Sequence, residues 1–422
     1  MNNSYMRPQA IIYIKEVVQV KCSNNALIMK LLFKTVVRYM NRFKITDNED
    51  CPCGSGKTYK ECCKGKEGIV EPSKKPTEVL IMERMRKAMK ECCMHPDKAK
   101  CKGKIKAAHA LQNNKIISLL AGDDRHVYMM NPKKQPLLIP LENGEVVPIV
   151  ELSRTSANDA TTETCFCDVH DNIAFSLIEK GAPDFDETRE DMKFVYAYKA
   201  FIFEYYKQWV SMDIFRHNFK NNPAAFMAPD MVAMYRMQQM KMQEFEPVKQ
   251  HFDTQILAGT YTGIVTCAVI IPFQIKFADY AYIAPDFDMN GKRIKHTKKS
   301  IMHRIAVTVF PEKMQSWLLL SCLEAEKDIY SGLFEQIKNA SIEKLEFYIN
   351  MVLPLYSENM VLSPALWNAW NSEIQMAYTY YANLNGPDAV KMGMAVGMGL
   401  SNMAKDKSGK SYDQQPKLNL FL

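Results

Sequence analysis

Apolar residues repeat at helical spacing through the middle of the chain, in the segment 190–219. Its aromatic residues lie three or four positions apart, which places them on one side of a helix. They are Phe194, Tyr198, Phe201, Tyr205 and Trp209. Such a stripe belongs to a protein core more often than to a platform that stacks nucleic-acid bases, so we predict a buried helix. The methionine-rich segment 226–246 continues the helical pattern.

Residues 255–322 change to a pattern typical of β structure. Two long runs rich in β-branched residues flank the polar stretch 286–300, which predicts strands joined by a loop. The loop begins DFDMNG, like a calcium-binding loop, but Thr297 stands where an acidic ligand is required, so we predict a plain turn. The uncharged run Ile256–Ile275 is about long enough to cross a bilayer, but its Thr and Gly residues favour buried sheet. No membrane span is expected.

The chain contains twelve cysteines, and most of them are clustered in its first half. Lys15 and Glu16 interrupt the apolar stretch near the N-terminus, so no secretory signal is predicted. We therefore expect a cytoplasmic protein. In a reducing compartment, clustered cysteines are typical of metal ligands rather than of disulfides.

Four cysteines lie within thirteen residues, in the order Cys51-x-Cys53-x8-Cys62-Cys63. Two close thiolate pairs joined by a short Gly-containing loop can fill the four tetrahedral positions of zinc. A segment this short cannot build a hydrophobic core, so the metal would supply most of its folding energy. We predict a structural zinc site with all four cysteines as ligands.

The same segment resembles the SEC-C motif, the zinc module at the end of the preprotein translocase motor ATPase and appended to many bacterial proteins. The residues that carry the resemblance are Cys51, Pro52, Cys53, Gly54, Ser55, Gly56, Lys57, Tyr59, Cys62 and Cys63. The resemblance implies bound zinc and docking onto a protein or a ribosome. It does not imply an enzyme.

A second set of Cys and His residues lies in the segment 92–180. Cys93 and Cys101 can close one half of a zinc site, and Cys167 and His170 can close the other half from the first turn of a helix. Two ligands from a loop and two from a helix start are typical of a treble-clef site, so we predict a second structural zinc. Spare candidates for this site are Cys92, His95 and Cys165.

The order of these parts resembles the HNH, or ββα-metal, endonuclease family. In that family a cysteine pair precedes a histidine that activates water, and a second pair opens a helix and is followed by a residue that binds the catalytic ion. The resemblance implies that His109 is the general base and that Asp171 binds Mg²⁺ or Mn²⁺. The chain departs from the family at Ala108, where the family has Asp, and at His170, where it has Cys. His109 is alternatively a fourth zinc ligand or a core histidine.

The segment also looks like uncharacterised bacterial proteins that sometimes carry a SEC-C motif. The shared features are an Ala-His-x-x-Gln segment, here at 108–112, and a Phe-Cys-x-x-His-Asp segment, here at 166–171. This likeness supports 92–180 as one metal-binding unit and assigns no activity.

The net charge of +7 is unevenly distributed along the chain. Residues 51–115 carry sixteen Lys and Arg against seven Asp and Glu, so the rest of the chain is slightly acidic. A local positive field favours phosphate backbones or acidic protein surfaces. The basic region 57–115 is therefore a candidate nucleic-acid surface, in which the run Lys98–Lys115 would contact the phosphate backbone of the nucleic acid. A solvated lysine-rich face explains the same pattern equally well.

Together these patterns predict an α+β fold, with small N-terminal zinc modules (SEC-C and treble-clef-like) followed by a larger helical domain with an antiparallel sheet. The predicted divisions are a helical extension (1–48), the SEC-C module (49–66), a second metal domain (77–182), an α+β domain (188–404) and a disordered tail (405–422). Within them we expect a helix from Thr77 to about Lys90 and further helices over 324–383.

Two functions remain open at this point. One is a zinc-binding, HNH-like nuclease of a defence or mobile-element type, which needs Mg²⁺ or Mn²⁺ besides two structural Zn²⁺ ions. The other is a non-catalytic adaptor whose SEC-C module docks on a ribosome, chaperone or translocase partner.

Overall fold

The computed structural model describes residues 44–66, 83, 91–130, 137–140, 146–179, 181–222, 224, 226, 229–298, 301–384, 386–406 and 416–422. The predicted helical extension falls largely outside these residues. So does the helix predicted from Thr77 to Lys90, of which only residue 83 is described.

The described chain begins with a single helical turn, continues through short strands and ends in a helical region. Its strands are β1 (Ile105–His109), β2 (His126–Met130), β3 (Leu137–Pro140), β4 (Val146–Ile149), β5 (Leu152–Ser156), β6 (Thr162–Cys167), β7 (Ile264–Ile271), β8 (Phe277–Ile283), β9 (Thr297–Lys298), β10 (Ile301–Met302), β11 (Ile305–Pro311), β12 (Ser316–Leu323) and β13 (Val361–Leu362). Its α-helices include α1 (Tyr59–Cys62), α2 (Asp168–Phe175), α3 (Glu190–Asn221), α4 (Pro229–Ala258), α5 (Lys327–Lys338), α6 (Ile342–Tyr356), α7 (Pro364–Ala369), α8 (Ser372–Ala382) and α9 (Gly386–Lys405).

Seven of these strands form one antiparallel sheet in the order β5-β2-β13-β8-β11-β12-β7. Its central strands are buried on both faces. In β11, for example, Ala306 packs into the core on one side of the sheet and Val307 into the core on the other. A strand covered on both faces reads as a continuous apolar run, which explains the runs seen in the sequence. The predicted α+β fold with an antiparallel sheet is confirmed.

The long helix α3 lies on one face of this sheet beside α4. Its aromatic side chains are buried on nearly every side of the helix, and Phe201 contacts both Phe252 of α4 and Tyr282 of β8. A helix that is apolar all round belongs to a core. The prediction of a buried aromatic helix at 190–219 is therefore confirmed.

The other face of the sheet is covered by helices from the C-terminal part of the chain. Helices were predicted here over 324–383, and they continue further, because α9 runs to Lys405. The start of the predicted β region was also wrong. Helix α4 continues to Ala258 and ends at Gly259, whose positive φ of 66° suits the position after a helix.

The run Ile256–Ile275 contains β7, so the prediction of a strand is met, but only Cys267 and Ile271 of this strand are buried, and the run begins in α4. No described helix combines the length and the apolar character that crossing a membrane would demand.

Strands from both sides of the predicted boundary between 182 and 188 share the seven-stranded sheet. The two residues of β13 pair with β2 on one side and with β8 on the other, and so join the two segments. The division of the chain into domains stays a prediction, but the sheet crosses this boundary.

The predicted disorder of the tail is wrong for its last seven residues. Leu418 and Leu420 are buried in the core beneath the sheet. Asn419 is held there because its carbonyl oxygen accepts a hydrogen bond from Trp370 Nε1 at 2.9 Å, and its Oδ1 accepts one from Asn350 Nδ2 at 3.0 Å. The polar stretch 407–415 lies outside the described residues.

The polar loop after β8 is a turn closed by its own backbone, as predicted. Asp288 Oδ1 accepts hydrogen bonds from the amides of Asn290 and Lys292, both at 2.9 Å. Gln336 Nε2 donates to Asp288 Oδ2 at 3.0 Å. Both carboxylate oxygens of Asp288 therefore accept hydrogen bonds from protein groups. This is expected of a turn residue rather than of a calcium ligand.

A buried acid lies in β8, on the face of the sheet opposite α3. Asp279 is fully buried and accepts a hydrogen bond from Ser357 Oγ at 2.6 Å. Burial raises the pKa of Asp279 to about 8, and the nearby Glu204 adds to this. An acid with this pKa keeps its proton at neutral pH in the folded protein and loses it on unfolding.

We expect the thermal midpoint of Asp279→Asn, measured relative to that of the wild type, to be higher at pH 8 than at pH 6. Between the ordinary pKa of about 3.9 and the raised value, only the unfolded state releases the proton, so wild-type stability falls as pH rises. Asparagine removes that dependence. Thermal unfolding of both proteins at the two pH values should show a relative gain of about 2 °C or more at pH 8. An equal difference at both values would contradict the protonated state.

Candidate metal centres

The first cysteine cluster forms a tight loop followed by the single turn of α1. The loop is closed by the hydrogen bond from Cys51 N to Lys57 O at 2.8 Å. Gly54 and Gly56 have φ values of 75° and 74°, a conformation that favours glycine. Thr58 caps α1 by accepting a hydrogen bond from the amide of Glu61.

The four sulfur atoms of this loop fit a tetrahedral zinc ion. Zinc–sulfur bonds of about 2.3 Å place tetrahedral thiolates roughly 3.8 Å apart. The Sγ atoms of Cys53 and Cys62 are 3.5 Å apart, and those of Cys62 and Cys63 are 3.7 Å apart. Cys51 completes the group, whose ligand atoms all lie within 4.8 Å of one another. Burial raises the pKa of Cys51 to about 11, so this sulfur would become a thiolate at neutral pH only with a cation bound.

The module packs against the C-terminal end of α3 and the N-terminal end of α4. Its cysteines and Tyr59 form a small apolar cluster with residues of these helices and the turn between them. The rings of Tyr59 and Phe226 are 5.0 Å apart. Arg236 of α4 pairs with Glu49 at 2.6 Å. One face of the module is therefore occupied by the chain itself.

The second cluster joins a loop to the start of α2. The amides of Cys92 and Met94 donate to the carbonyls of Thr164 and Cys165 in β6, at 3.1 and 2.8 Å. This pairing places Cys93 beside Cys167, the last residue of β6.

Donor distances in the second centre also fit zinc. His170 lies in the first turn of α2, and its Nδ1 is 3.4 Å from Cys93 Sγ, 3.5 Å from Cys101 Sγ and 3.4 Å from Cys167 Sγ. Tetrahedral zinc with ordinary bond lengths places nitrogen and sulfur roughly 3.6 Å apart. The structure thus brings together the four ligands that the sequence predicted.

The spare candidates Cys92, His95 and Cys165 lie outside this group. His95 instead stacks on the ring of His170, with centroids 3.9 Å apart and planes 7° apart. Its Nδ1 accepts a hydrogen bond from the amide of Asp97 at 3.2 Å. The stacking fixes the ring plane of His170, a role that the sequence did not reveal.

Lys106 lies on the face of the two-stranded β1–β6 sheet that α2 covers, because its pair Phe166 packs edge-on against Phe175 of α2, with ring centroids 5.1 Å apart. Ala108 pairs with Glu163 and His109 pairs with Thr162. The register therefore advances by two residues in β1 and by three in β6, which places the bulge in β6. β1 itself alternates regularly, so His109 follows on the opposite face from Lys106, at the end of the strand.

Asp171, one turn into α2, reaches the face of Lys106. It is 7% exposed, and its Oδ2 lies 2.8 Å from Lys106 Nζ. Its Oδ1 is buried and has no hydrogen-bond partner among the described residues. The sequence did not reveal Lys106 as a partner, because the pairing of β1 with β6 that turns it toward α2 joins segments distant in sequence.

His109 is half-buried, and its Nδ1 lies 2.8 Å from the carbonyl oxygen of Ala160. That carbonyl precedes Thr161, whose φ of 57° is rare for a β-branched residue. Burial lowers the pKa of His109, and the nearby Lys199 lowers it further, while Glu179 and Asp171 oppose the shift. His109 is not among the grouped zinc donors, so its interpretation as a fourth zinc ligand is wrong.

The donor sets define a zinc-binding protein, with two Cys-rich groups that could each hold an ion. Residues 48–64 match the family model of the SEC-C motif, which confirms the resemblance seen at 51–63. No curated protein matches the chain, and no solved structure does. The resemblance to HNH nucleases finds no support in these comparisons and stays a prediction.

Proposed function

We propose that residues 91–179 form an HNH-like, metal-dependent nuclease centre supported by the second zinc. The observation that carries the proposal is that His109, at the end of β1, lies within electrostatic reach of Asp171, the residue directly after the zinc donor candidate His170. A base and a carboxylate on a strand pair and a helix held together by a metal are the parts that phosphodiester hydrolysis needs.

His109 has the protonation state of a general base. An Nδ1–H that donates to the Ala160 carbonyl leaves Nε2 with a free lone pair. The lowered pKa of His109 keeps the ring neutral near pH 7. Nε2 can then accept a proton from an attacking water molecule. The unusual φ of Thr161 supports this role, because strained backbone is concentrated at functional sites.

Asp171 offers the oxygen that would hold a divalent ion. Its buried Oδ1 has no described partner, and a carboxylate oxygen is a preferred ligand of Mg²⁺ and Mn²⁺. When bound, such an ion stabilises negative charge on a phosphate. Lys106 now supplies the positive charge beside Asp171, so the ion would bind next to Lys106 or displace it.

Exposed lysines accompany the second donor group. Lys98 and Lys100 lie within the loop between Cys93 and Cys101, and Lys102 and Lys104 lead from it into β1. Lysines in such a row neutralise backbone phosphates and release counterions. The substrate we infer is therefore nucleic acid, in a cytoplasm whose reducing conditions keep both thiolate sets free.

Zinc content by mass spectrometry, combined with cleavage of plasmid DNA and RNA in Mg²⁺ and Mn²⁺, tests the proposal. We expect two zinc ions per chain and a loss of about 100-fold or more in cleavage rate for His109→Ala and Asp171→Asn. The control His126→Ala, which changes a histidine of β2, should keep full activity. Because the pKa of His109 is lowered, the wild-type rate should stay constant above about pH 6.5 and fall only below it.

Two zinc ions without cleavage of any nucleic acid would contradict the nuclease and favour the adaptor. One observation supports that second candidate. The module presents the exposed stretch 54–57 and Lys60 to solvent, while its opposite face packs on α3 and α4. That exposed surface is available to a protein or ribosomal partner. Fewer than two zinc ions would contradict the metal centre itself.

A further inference from the structure

Strand β7 forms one edge of the seven-stranded sheet. Among the described residues it pairs only with β12. Natural edge strands are protected from pairing by charges, prolines or bulges. β7 contains none of these, and no charged residue occurs from Ile256 to Ile275.

The hydrogen-bond register identifies the backbone groups at this edge. Gly263 O accepts a hydrogen bond from the amide of Glu324, which lies opposite it. In an antiparallel pair, bonded and non-bonded positions alternate, so odd-numbered residues of β7 face β12. The N–H and C=O groups of the even-numbered residues point away from the sheet: Ile264, Thr266, Ala268 and Ile270.

The position of Pro272 agrees with this register. It is even-numbered and follows the last residue of β7, so the N–H that proline lacks is one that would point outward. A proline at this position leaves the ladder to β12 intact.

We infer that β7 pairs antiparallel with β7 of a second copy of this chain, across a two-fold axis at Cys267. In that register Ile264 lies opposite the partner's Ile270, and Thr266 lies opposite the partner's Ala268. All four outward positions on each chain are then in bonded pairs, which gives roughly eight backbone hydrogen bonds. The two sheets join into one.

A second copy fits this edge because the edge is complementary to itself. The two-fold register brings Tyr261, before one strand, to the same end as Phe273, after the other. These two residues are 37% and 36% exposed, and Ile270 is 44% exposed. Each chain thus places its exposed apolar side chains against those of the other, and the uncharged strands meet without like-charge repulsion. The interface is isologous, as a two-fold dimer requires.

The start of strand β7 is held rigidly in place, which favours a single geometry of pairing with a partner strand. Gly263 has a φ of 80°, and a Cβ atom there would collide with the ring of His251. His251 Nε2 lies 3.3 Å from the carbonyl oxygen of Thr262. The start of β7 is therefore pinned to α4.

Sedimentation of the full, zinc-loaded chain between roughly 1 and 100 µM tests the inference. The wild type should sediment as a dimer. Ala268→Pro removes an outward N–H and leaves the ladder to β12, so the dimer should weaken at least tenfold without a loss of fold. Ile270→Lys places a charge in the interface and should have the same effect.

Met314→Lys is the matched control, because Met314 is 83% exposed in the turn after β11 and should leave the dimer intact. Val269→Pro removes a ladder N–H instead and should lower the thermal midpoint. A wild-type monomer at 100 µM would overturn the inference. A dimer of unchanged strength in both edge variants would overturn it as well.

Discussion

The Cys167→Ser variant is expected to lose one zinc ion per chain and about 10 °C or more in thermal midpoint. Cys167 ends β6 immediately before α2, and its sulfur lies 3.9 Å from that of Cys93, which is 74 residues away in sequence. A zinc ion bound by this group would close a long chain segment. Losing one of four ligands leaves the remaining buried donors without the cation that their spacing requires. Metal analysis and differential scanning calorimetry measure both effects.

The effect is large because the second centre is built into the main core. Cys93, Cys167 and Phe175 of α2 belong to the same cluster as the aromatic residues of α3. Phe175 of α2 stacks at 5.8 Å from Tyr198 of α3. Without the zinc, α2 would keep this contact but lose its link to the loop 91–101.

Cys92→Ser is the matched control for this prediction. Cys92 is adjacent in sequence to a zinc donor and half-buried, but its sulfur points to the carbonyl of Cys93 and not to the donor group. Two zinc ions and a midpoint within about 3 °C of the wild type are expected. If Cys92→Ser also lost an ion, or Cys167→Ser kept both, the assignment of donors would be wrong.

Metal donors were readable from the sequence because their spacing is local. A loop of eight residues between Cys53 and Cys62, or one helical turn between Cys167 and His170, fixes which atoms can meet. Cys101 and Cys167 are far apart in sequence, so spacing alone could not show that the Cys93–Cys101 pair and the Cys167–His170 pair meet. The prediction assumed that both pairs bind one ion. In the structure, the pairing of residues 92–94 with β6 makes that contact.

Long-range strand pairing was not readable in the same way. Periodicity identifies a strand but not its partner. The two residues of β13 have no pattern of their own, yet they connect β2 with β8. Leu418 and Leu420 likewise stand in a polar tail, and only the contacts of Asn419 with Asn350 and Trp370 show why they are buried.

The candidate catalytic site was only partly predictable from the sequence. The family resemblance singled out His109 and Asp171, and the two lie within electrostatic reach of each other. The resemblance could not show that Lys106 pairs with Asp171, because this contact depends on the pairing of β1 with β6. Nor could it show that the His109 ring is oriented by the Ala160 carbonyl from a neighbouring loop.

Gly291→Ala is expected to lower the free energy of unfolding by about 3 kcal/mol or more. The sequence identified this glycine as part of a turn, and its amide does donate to Asp288 O at 2.9 Å. Its φ of 70° would strain an alanine. A Cβ atom would also lie within 2.8 Å of Ser401 Cα and closer still to Gly397 O, both of them backbone atoms of α9. Backbone cannot move aside as a flexible side chain can, so the loop and α9 would have to separate.

Gly259→Ala separates the strain of the turn from the clash. Gly259 has a φ of 66°, close to that of Gly291, but a Cβ atom there meets nothing within 4 Å. It should therefore cost only the conformational penalty of about 1 kcal/mol. Chemical denaturation of both variants, with zinc content measured alongside, gives the comparison. Equal losses would mean that the loop and α9 are not in contact. A clearly larger loss for Gly291→Ala would show that this glycine is required for the close packing of the β8 loop on α9.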